Sequence, residues 1–106
     1  MTTTLIANLE KLIGTPRDGA LLRYSLGNEW LKAGVPSNAV AHLREALARD
    51  PNYSAAWKLL GKALAENGDA PAAQEAFAQG IRVAEARGDK QAAKEMSVFR
   101  KRLLRP

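Results

Sequence analysis

The sequence predicts an all-α fold, and three observations support this prediction. Alanine, leucine and the charged and amide helix formers dominate, whereas β-branched and aromatic residues are scarce. Glycine and proline recur at intervals that divide the chain into segments of helical length. Within these segments apolar residues repeat at three- and four-residue spacing, and no segment alternates in the manner of a strand. The 106 residues suit one domain, and we expect about six helices and no sheet.

The expected helix ends depend on the same punctuation. We expect helices at about 3–13, 19–33, 37–49, 53–67, 71–87 and 89–104. A glycine follows four of these segments, where a left-handed residue would end the helix: Gly14, Gly34, Gly68 and Gly88. Prolines lie in the gaps or first turns, where a missing N–H costs little: Pro16, Pro36, Pro51 and Pro71. Four polar residues are expected N-caps: Asp18, Asn52, Asp69 and Asp89.

The first and last helices each carry one apolar stripe. The first stripe consists of Leu5, Leu9 and Leu12, and its spacing is typical of a helix with one buried face. The last helix has the corresponding stripe of Ala92, Met96, Phe99 and Leu103. We therefore expect both terminal helices to pack on the rest of the chain with these residues inward.

Two central segments of the chain repeat each other with a 34-residue period. Alignment of 20–53 with 54–87 gives four identities: Leu26/Leu60, Gly27/Gly61, Gly34/Gly68 and Ala39/Ala73. The second unit reads Trp57-x2-Leu60-Gly61-x2-Leu64 and then Ala73-x3-Phe77. The first unit has Arg23 in place of the tryptophan, and Pro51 near its end has Glu85 as its counterpart. No third Leu-Gly pair follows at the same period, since Lys94-Glu95 stand there instead.

This pattern resembles the tetratricopeptide repeat, which places Trp, Leu-Gly and Tyr on one helix and Ala, Phe and Pro on the next. The resemblance implies an α-solenoid of antiparallel helix pairs. It also implies two repeats, 20–53 and 54–87, between an N-terminal capping helix in 1–15 and a C-terminal capping helix in 88–106.

Small residues mark where the paired helices approach closely. We expect Gly27 and Gly61 to open a gap on the first helix of each pair, and Ala39 and Ala73 to face it from the second. A larger side chain at either glycine would overpack the crossing.

The charge of the chain is unevenly distributed. Residues 82–106 carry eight of the 16 Lys and Arg residues but three of the 11 acids, so the whole net charge of +5 lies there. The basic patch consists of Arg100, Lys101, Arg102 and Arg105. It could attract a polyanion, although basic residues at a helix C-terminus also suit the helix dipole.

Several classes of protein are not expected. The chain has no cysteine, one histidine (His42) and no glycine-rich phosphate loop, so we expect no enzyme, cofactor or metal site. No apolar run approaches the roughly 20 residues of a membrane span, and the N-terminus lacks the basic start of a secretory signal. A cytoplasmic protein is the expectation.

The resemblance also indicates where a partner would bind. In tetratricopeptide proteins the first helix of each pair lines a concave groove that holds a peptide or a partner helix. The corresponding residues here are Leu21, Tyr24, Asn28, Leu31, Lys58 and Lys62, with Lys32, Ala55, Ala65 and Glu66 beside them. The set partly resembles the carboxylate clamp of chaperone-binding members, but Tyr24 stands at one lysine position and Ala92 and Met96 stand at two further basic positions.

Three hypotheses on function remain open from the sequence. The first is a protein-interaction adaptor whose groove binds a peptide or helix, with acidic or C-terminal segments as candidates. The second is a self-associating structural module, for which a homodimer is the simplest form. The third is a polyanion or nucleic-acid binder that uses the basic patch, where no exposed stacking aromatic is expected.

Overall fold

The computed structural model describes residues 2–105, which form six helices and no strand. The helices are α1 (Thr2–Glu10), α2 (Ala20–Lys32), α3 (Pro36–Arg49), α4 (Ser54–Glu66), α5 (Ala70–Ala86) and α6 (Lys90–Leu103). Each expected helix is present with bounds that agree within three residues, so the all-α prediction is confirmed. Met1 and Pro106, the outermost residues of the two expected capping segments, lie outside the described residues.

The structure confirms the expected helix-ending glycines and two of the four expected N-caps. Gly14, Gly34, Gly68 and Gly88 all have positive φ, between +76° and +83°, as expected for residues that end a helix. The N-caps Asp69 and Asp89 each accept a hydrogen bond from a first-turn backbone N–H at 3.1 Å. The expectation was wrong for Asp18 and Asn52, because Gly19 and Tyr53 occupy the N-cap positions of α2 and α4.

The first helix differs from its predicted stripe. Ile6 is the buried residue of α1, with 3% of its surface exposed, whereas Leu5 is 43% exposed. The expectation for Leu5 was therefore wrong. Ile6 packs with Leu22 and Leu26 of α2, and Leu9 and Leu12 lie partly buried beside them.

Consecutive helices pack against each other, since the connections between α2 and α6 are only three or four residues long. The helix α4 also contacts α2 and α6, its second neighbours in the row, whereas α3 and α5 do not contact each other. The largest fully buried side chains run through the whole row: Phe77, Leu26, Leu43, Leu60 and Met96. Among the described residues, no helix has both the length and the apolar character needed to cross a membrane.

The glycines of the two Leu-Gly pairs lie at tight helix crossings. A Cβ on Gly27 would lie 2.5 Å from Cγ of Leu43, and a Cβ on Gly61 would overlap the ring of Phe77. Ala39 and Ala73 are fully buried, but the side chains nearest the glycines come from one helical turn further along. Each gap is therefore filled by a large apolar side chain of the second helix.

The helix α6 is out of register with the 34-residue period. The helix α4 begins one full period after α2, whereas α6 begins two positions later than a further period would place it. The cause is α5, which has 17 residues where α3 has 14, because Pro51 lies just past the end of α3 and Glu85 lets α5 continue. Met96 then takes the buried place held by Leu26 and Leu60. The third Leu-Gly pair is replaced by Met96-Ser97 and not by Lys94-Glu95.

Candidate functional site

A cleft of about 550 Å³ opens between the C-terminal halves of α2, α4 and α6. We call this region the cleft. It exists because these three helices lie side by side and their facing side chains do not fill the space between them. Its lining residues are Asn28 and Leu31 of α2, Leu59, Lys62, Ala65 and Glu66 of α4, Phe77 of α5, and Phe99, Arg102 and Leu103 of α6.

The floor of the cleft is aromatic and aliphatic. Phe77 is almost fully buried and stacks on Phe99, with ring centroids 5.7 Å apart and an angle of 23° between the planes. Leu31 and Leu59 are half-buried at its sides. When another apolar group covers a partly exposed apolar surface of this kind, the free energy of the system falls by about 25 cal/mol per Å² removed from water.

Two cations flank the exposed aromatic ring. The Lys62 ammonium nitrogen lies 4.7 Å from the centroid of the Phe99 ring, and the Arg102 guanidinium carbon lies 5.8 Å from it. Both distances lie within the range of a cation–π interaction. Lys62 comes from α4 and Arg102 from α6, so the fold brings together two charges that are far apart in the sequence.

The six residues expected in the groove do not all lie in the cleft. Asn28, Leu31 and Lys62 line it. Leu21 is outside it and 69% exposed. Tyr24 stacks on Tyr53, with ring centroids 5.0 Å apart, so its ring is used within the fold.

Lys58, the sixth residue, belongs to a smaller cavity of about 250 Å³ between α4 and α6. Its ammonium nitrogen lies 3.7 Å from a carboxylate oxygen of Glu95, and Asp89 also lines this cavity. Lys58 and Lys62 therefore lie in separate environments. Lys58 is paired with a carboxylate, whereas Lys62 lies over an aromatic ring.

Sequence reasoning missed several cleft residues, above all Phe99, which it placed in the core. One 34-residue period after Lys62 stands Met96, but Met96 is buried and Phe99 faces Lys62 instead. The helix α6 begins two positions later than the 34-residue period would place it, so residues of α6 cannot be matched to residues of α4 by adding 34. The signal was the missing proline at Glu85. The remaining residues that were not expected there are Leu59, Phe77, Arg102 and Leu103.

The basic patch occupies the last turn of α6 and the residues after it. Arg100, Lys101, Arg102 and Arg105 are all exposed. Of these four, Arg102 also lines the cleft. The patch and the cleft are therefore one continuous surface at the C-terminal end of α6.

A second polar cluster holds the α1–α2 connection against α2 and α3. Arg23 donates two hydrogen bonds to Asp18, at 2.9 and 3.1 Å, and Arg49 lies 3.6 Å from the same carboxylate. The hydrogen bond from Arg23, with that from the Gly14 backbone N–H, holds the pKa of Asp18 well below its usual range. His42 Nδ1 lies 3.4 Å from Arg23, and burial followed by the nearby guanidinium lowers the pKa of His42. The cluster joins α2 and α3 to the connection that precedes α2.

Residues 2–105 contain no group of three His, Cys, Asp or Glu side chains close enough to hold a metal ion.

The amino-acid sequence was compared with protein families and with known proteins. Residues 31–95 match the tetratricopeptide repeat family. A TPR repeat-containing protein of Pseudomonas aeruginosa is 48% identical over 99 residues, which cover 93% of this chain and 94% of that protein.

Solved structures of other proteins have a similar fold. A Bordetella parapertussis protein known from its solution structure is 41% identical, with a TM-score of 0.81 over 93% of this chain and 86% of that one. A tetratricopeptide repeat domain protein of Salinibacter ruber is 29% identical, with a TM-score of 0.75 over 82% of this chain and 88% of that one.

Proposed function

The chain belongs to the tetratricopeptide repeat family, and on that premise we propose that it is an adaptor which binds a segment of a partner protein in the cleft. Proteins of this family are in general non-enzymatic scaffolds for protein–protein interaction. The proposed working unit is two repeats, 20–53 and 54–87, with the segments 1–15 and 88–106 as caps.

The observation that carries the proposal is the cleft itself. It is open to solvent, has an apolar floor, and is bordered by a small number of polar side chains, which are the features of a site that binds side chains of another molecule. Phe99 and Leu103 are only partly buried there. A partner segment that covered these two side chains would remove apolar surface from water, and this would favour binding.

A blocking variant tests the proposal. Asn28→Trp places an indole in the cleft, whereas Asn38→Trp places the same side chain on the exposed first turn of α3 as a matched control. Both variants and the wild type would be used to capture proteins from a lysate of the source organism. Captured proteins would then be purified and their affinity measured by isothermal titration calorimetry.

We expect a purified partner to bind the wild type and Asn38→Trp equally and to bind Asn28→Trp at least about tenfold more weakly, since the indole occupies the space for its side chain. Thermal unfolding of the three proteins must show that all of them are folded. Equal affinity of a folded Asn28→Trp variant would show that the cleft is not the binding site.

A further inference from the structure

The chemistry of the cleft narrows the kind of partner it can hold. We propose that the cleft recognises a large apolar side chain next to a carboxylate, with the apolar group on Phe99 and the carboxylate between Lys62 and Arg102. This inference rests on the proposed function and goes beyond it, because it names the feature of the partner that is read.

The first support is the contrast between two lysines on the same helix. Lys58 and Lys62 are one turn apart on α4, and the ammonium group of Lys58 is already within 3.7 Å of the Glu95 carboxylate. Within residues 2–105, neither Lys62 nor Arg102 forms an ion pair. The fold therefore balances the charge of Lys58 and leaves the two cleft cations available to a carboxylate from outside.

The second support is where the two cations lie. Lys62 and Arg102 come from neighbouring helices and lie within 4.7 and 5.8 Å of one ring. An apolar side chain that covers Phe99 therefore brings its neighbouring groups close to both charges. Covering the ring also removes water from the cations, and this strengthens their attraction to an anion.

The helix dipole is the competing reason for basic residues at this end of the molecule. It accounts for Arg100, Lys101 and Arg102, which lie in the last turn of α6. It does not account for Lys62, because α4 has no basic residue in its last turn and Lys62 lies before that turn. Glu66 at the end of α4 is the one carboxylate in the lining, so the cations outnumber it.

The test uses three small probes that separate the two parts of the recognised feature. N-acetyl-L-phenylalanine carries both the apolar ring and the carboxylate. N-acetyl-L-phenylalaninamide keeps the ring and lacks the charge, and N-acetylglycine keeps the carboxylate and lacks the ring. Binding would be followed by ¹H–¹⁵N NMR on the intact 106-residue chain, through the backbone signals of Asn28, Lys62 and Phe99.

We expect N-acetyl-L-phenylalanine to shift these signals with a dissociation constant on the order of millimolar, since the probe is small. Its affinity should exceed that of the amide by about threefold to tenfold at low salt, as expected for a carboxylate near two partly exposed cations. N-acetylglycine should bind more weakly than either. Raising the ionic strength from about 0.01 M to 0.15 M should reduce the advantage of the acid over the amide.

A pair of double variants assigns the effect to the two cations. In Lys62→Gln/Arg102→Gln the acid and the amide should bind with the same affinity within about twofold. The control Lys11→Gln/Arg17→Gln removes the same total charge at exposed positions near α1 and should keep the wild-type preference.

Each other outcome would overturn the inference. Equal binding of acid and amide to the wild type removes the carboxylate from the recognised feature, and equal binding of N-acetylglycine and the acid removes the apolar group. An unchanged preference in Lys62→Gln/Arg102→Gln, or no shift at the cleft signals with any probe, removes the site. The proposed function is judged separately by the Asn28→Trp capture experiment, so the two can fail independently.

Discussion

In each helix pair, one side chain of the first helix forms hydrogen bonds with the connection that precedes this helix. The two pairs use different chemistry for this contact. In the first pair, Arg23 donates hydrogen bonds to the Asp18 carboxylate. In the second pair the equivalent residue is Trp57, whose indole Nε1 donates to the Pro51 carbonyl oxygen at 2.8 Å. Both residues reach back across the start of the helix and satisfy an acceptor five or six residues earlier.

In both pairs this position carries a large side chain with a hydrogen-bond donor. Tryptophan covers the adjacent core and needs only a neutral carbonyl oxygen. Arginine brings a charge into a half-buried place, so it needs a carboxylate, and Asp18 supplies it. Asn52, which stands one repeat period after Asp18, carries no charge, in keeping with the tryptophan that comes after it.

The two pairs also differ in how their second helix ends. Pro51 follows α3 closely, whereas α5 continues through Glu85 to Ala86. In both pairs an arginine from the end of the second helix contacts the connection before the first: Arg49 pairs with Asp18, and Arg87 donates to the Asn52 carbonyl oxygen at 2.8 Å. The longer α5 shifts the start of α6 two positions past the place that the 34-residue period would give it.

The largest expected effect comes from giving the second pair the proline of the first. Glu85→Pro removes the backbone donor of residue 85 and places the proline ring against the carbonyl group of Ile81, which costs about 3 kcal/mol in a helix interior. Urea unfolding should show this loss, and ¹³Cα chemical shifts should show that α5 ends earlier. Glu85→Ala is the control and should stay within about 0.5 kcal/mol of the wild type. Unchanged stability and an unchanged α5 would show that the proline does not set the helix length.

A smaller effect is expected from overpacking the two crossings. Gly61→Leu and Gly27→Leu should each lower the free energy of unfolding by about 1–3 kcal/mol. The loss should be greater at Gly61, because the flat ring of Phe77 has less freedom to move aside than the Leu43 side chain. Urea unfolding of both variants measures the difference. A greater loss at Gly27 would contradict the proposed role of the ring.

The smallest effect concerns stability at low pH, which depends on the ion pair between Asp18 and Arg23 in the first helix pair. The pKa of Asp18 is lower in the folded chain than in the unfolded chain, so the carboxylate stabilises the fold above about pH 4. This contribution is lost as the pH falls, because the unfolded chain binds the proton first. Between pH 5 and pH 2 the melting temperature of the wild type should fall more steeply than that of Asp18→Asn, which gives the first pair an asparagine like Asn52.

Thermal unfolding at several pH values measures both curves. The pKa of Glu45 is also lowered, by the hydrogen bond from Arg49, but Glu45 is present in both proteins and its effect cancels in the difference. Parallel curves for the wild type and Asp18→Asn would show that the Asp18–Arg23 pair does not contribute to acid sensitivity.

Most of the fold could be predicted from the sequence because it depends on local rules. The glycines with positive φ end helices for steric reasons that act within a few residues. The 34-residue repeat likewise fixes Leu26, Gly27, Leu60 and Gly61 on equivalent buried faces. The N-cap expectation for Asn52 was wrong because α4 begins one residue later than expected, so that Tyr53 occupies the N-cap position. The expectation for Asp18 was wrong because its carboxylate has partners further along the chain. Asp18 binds Arg23 and Arg49 instead.

The candidate site was predicted only in part. Asn28, Leu31 and Lys62 lie in the cleft because α2 and α4 follow the 34-residue period. Phe99 and Leu103 were expected to face inward from the apolar spacing of α6, and they do pack partly buried against the core, but they also line the cleft, which that spacing does not predict. Leu21, Tyr24 and Lys58 lie elsewhere, and two of the three make contacts that depend on side chains far along the chain, Tyr53 and Glu95.

Six helices, their approximate ends and the two similar helix pairs could all be predicted from the amino-acid sequence. The signals for them are helix propensity, glycine and proline at helix ends, and apolar spacing, and each of these acts over one or two turns. The tertiary structure alone decided which face of α6 meets α4. That face depends on where α6 begins, and α6 begins two positions later than the 34-residue period would place it because α5 is longer than α3. With α6 in this position, Met96 is buried and Phe99 lies in the cleft, where Lys62 and Arg102 are close to its ring.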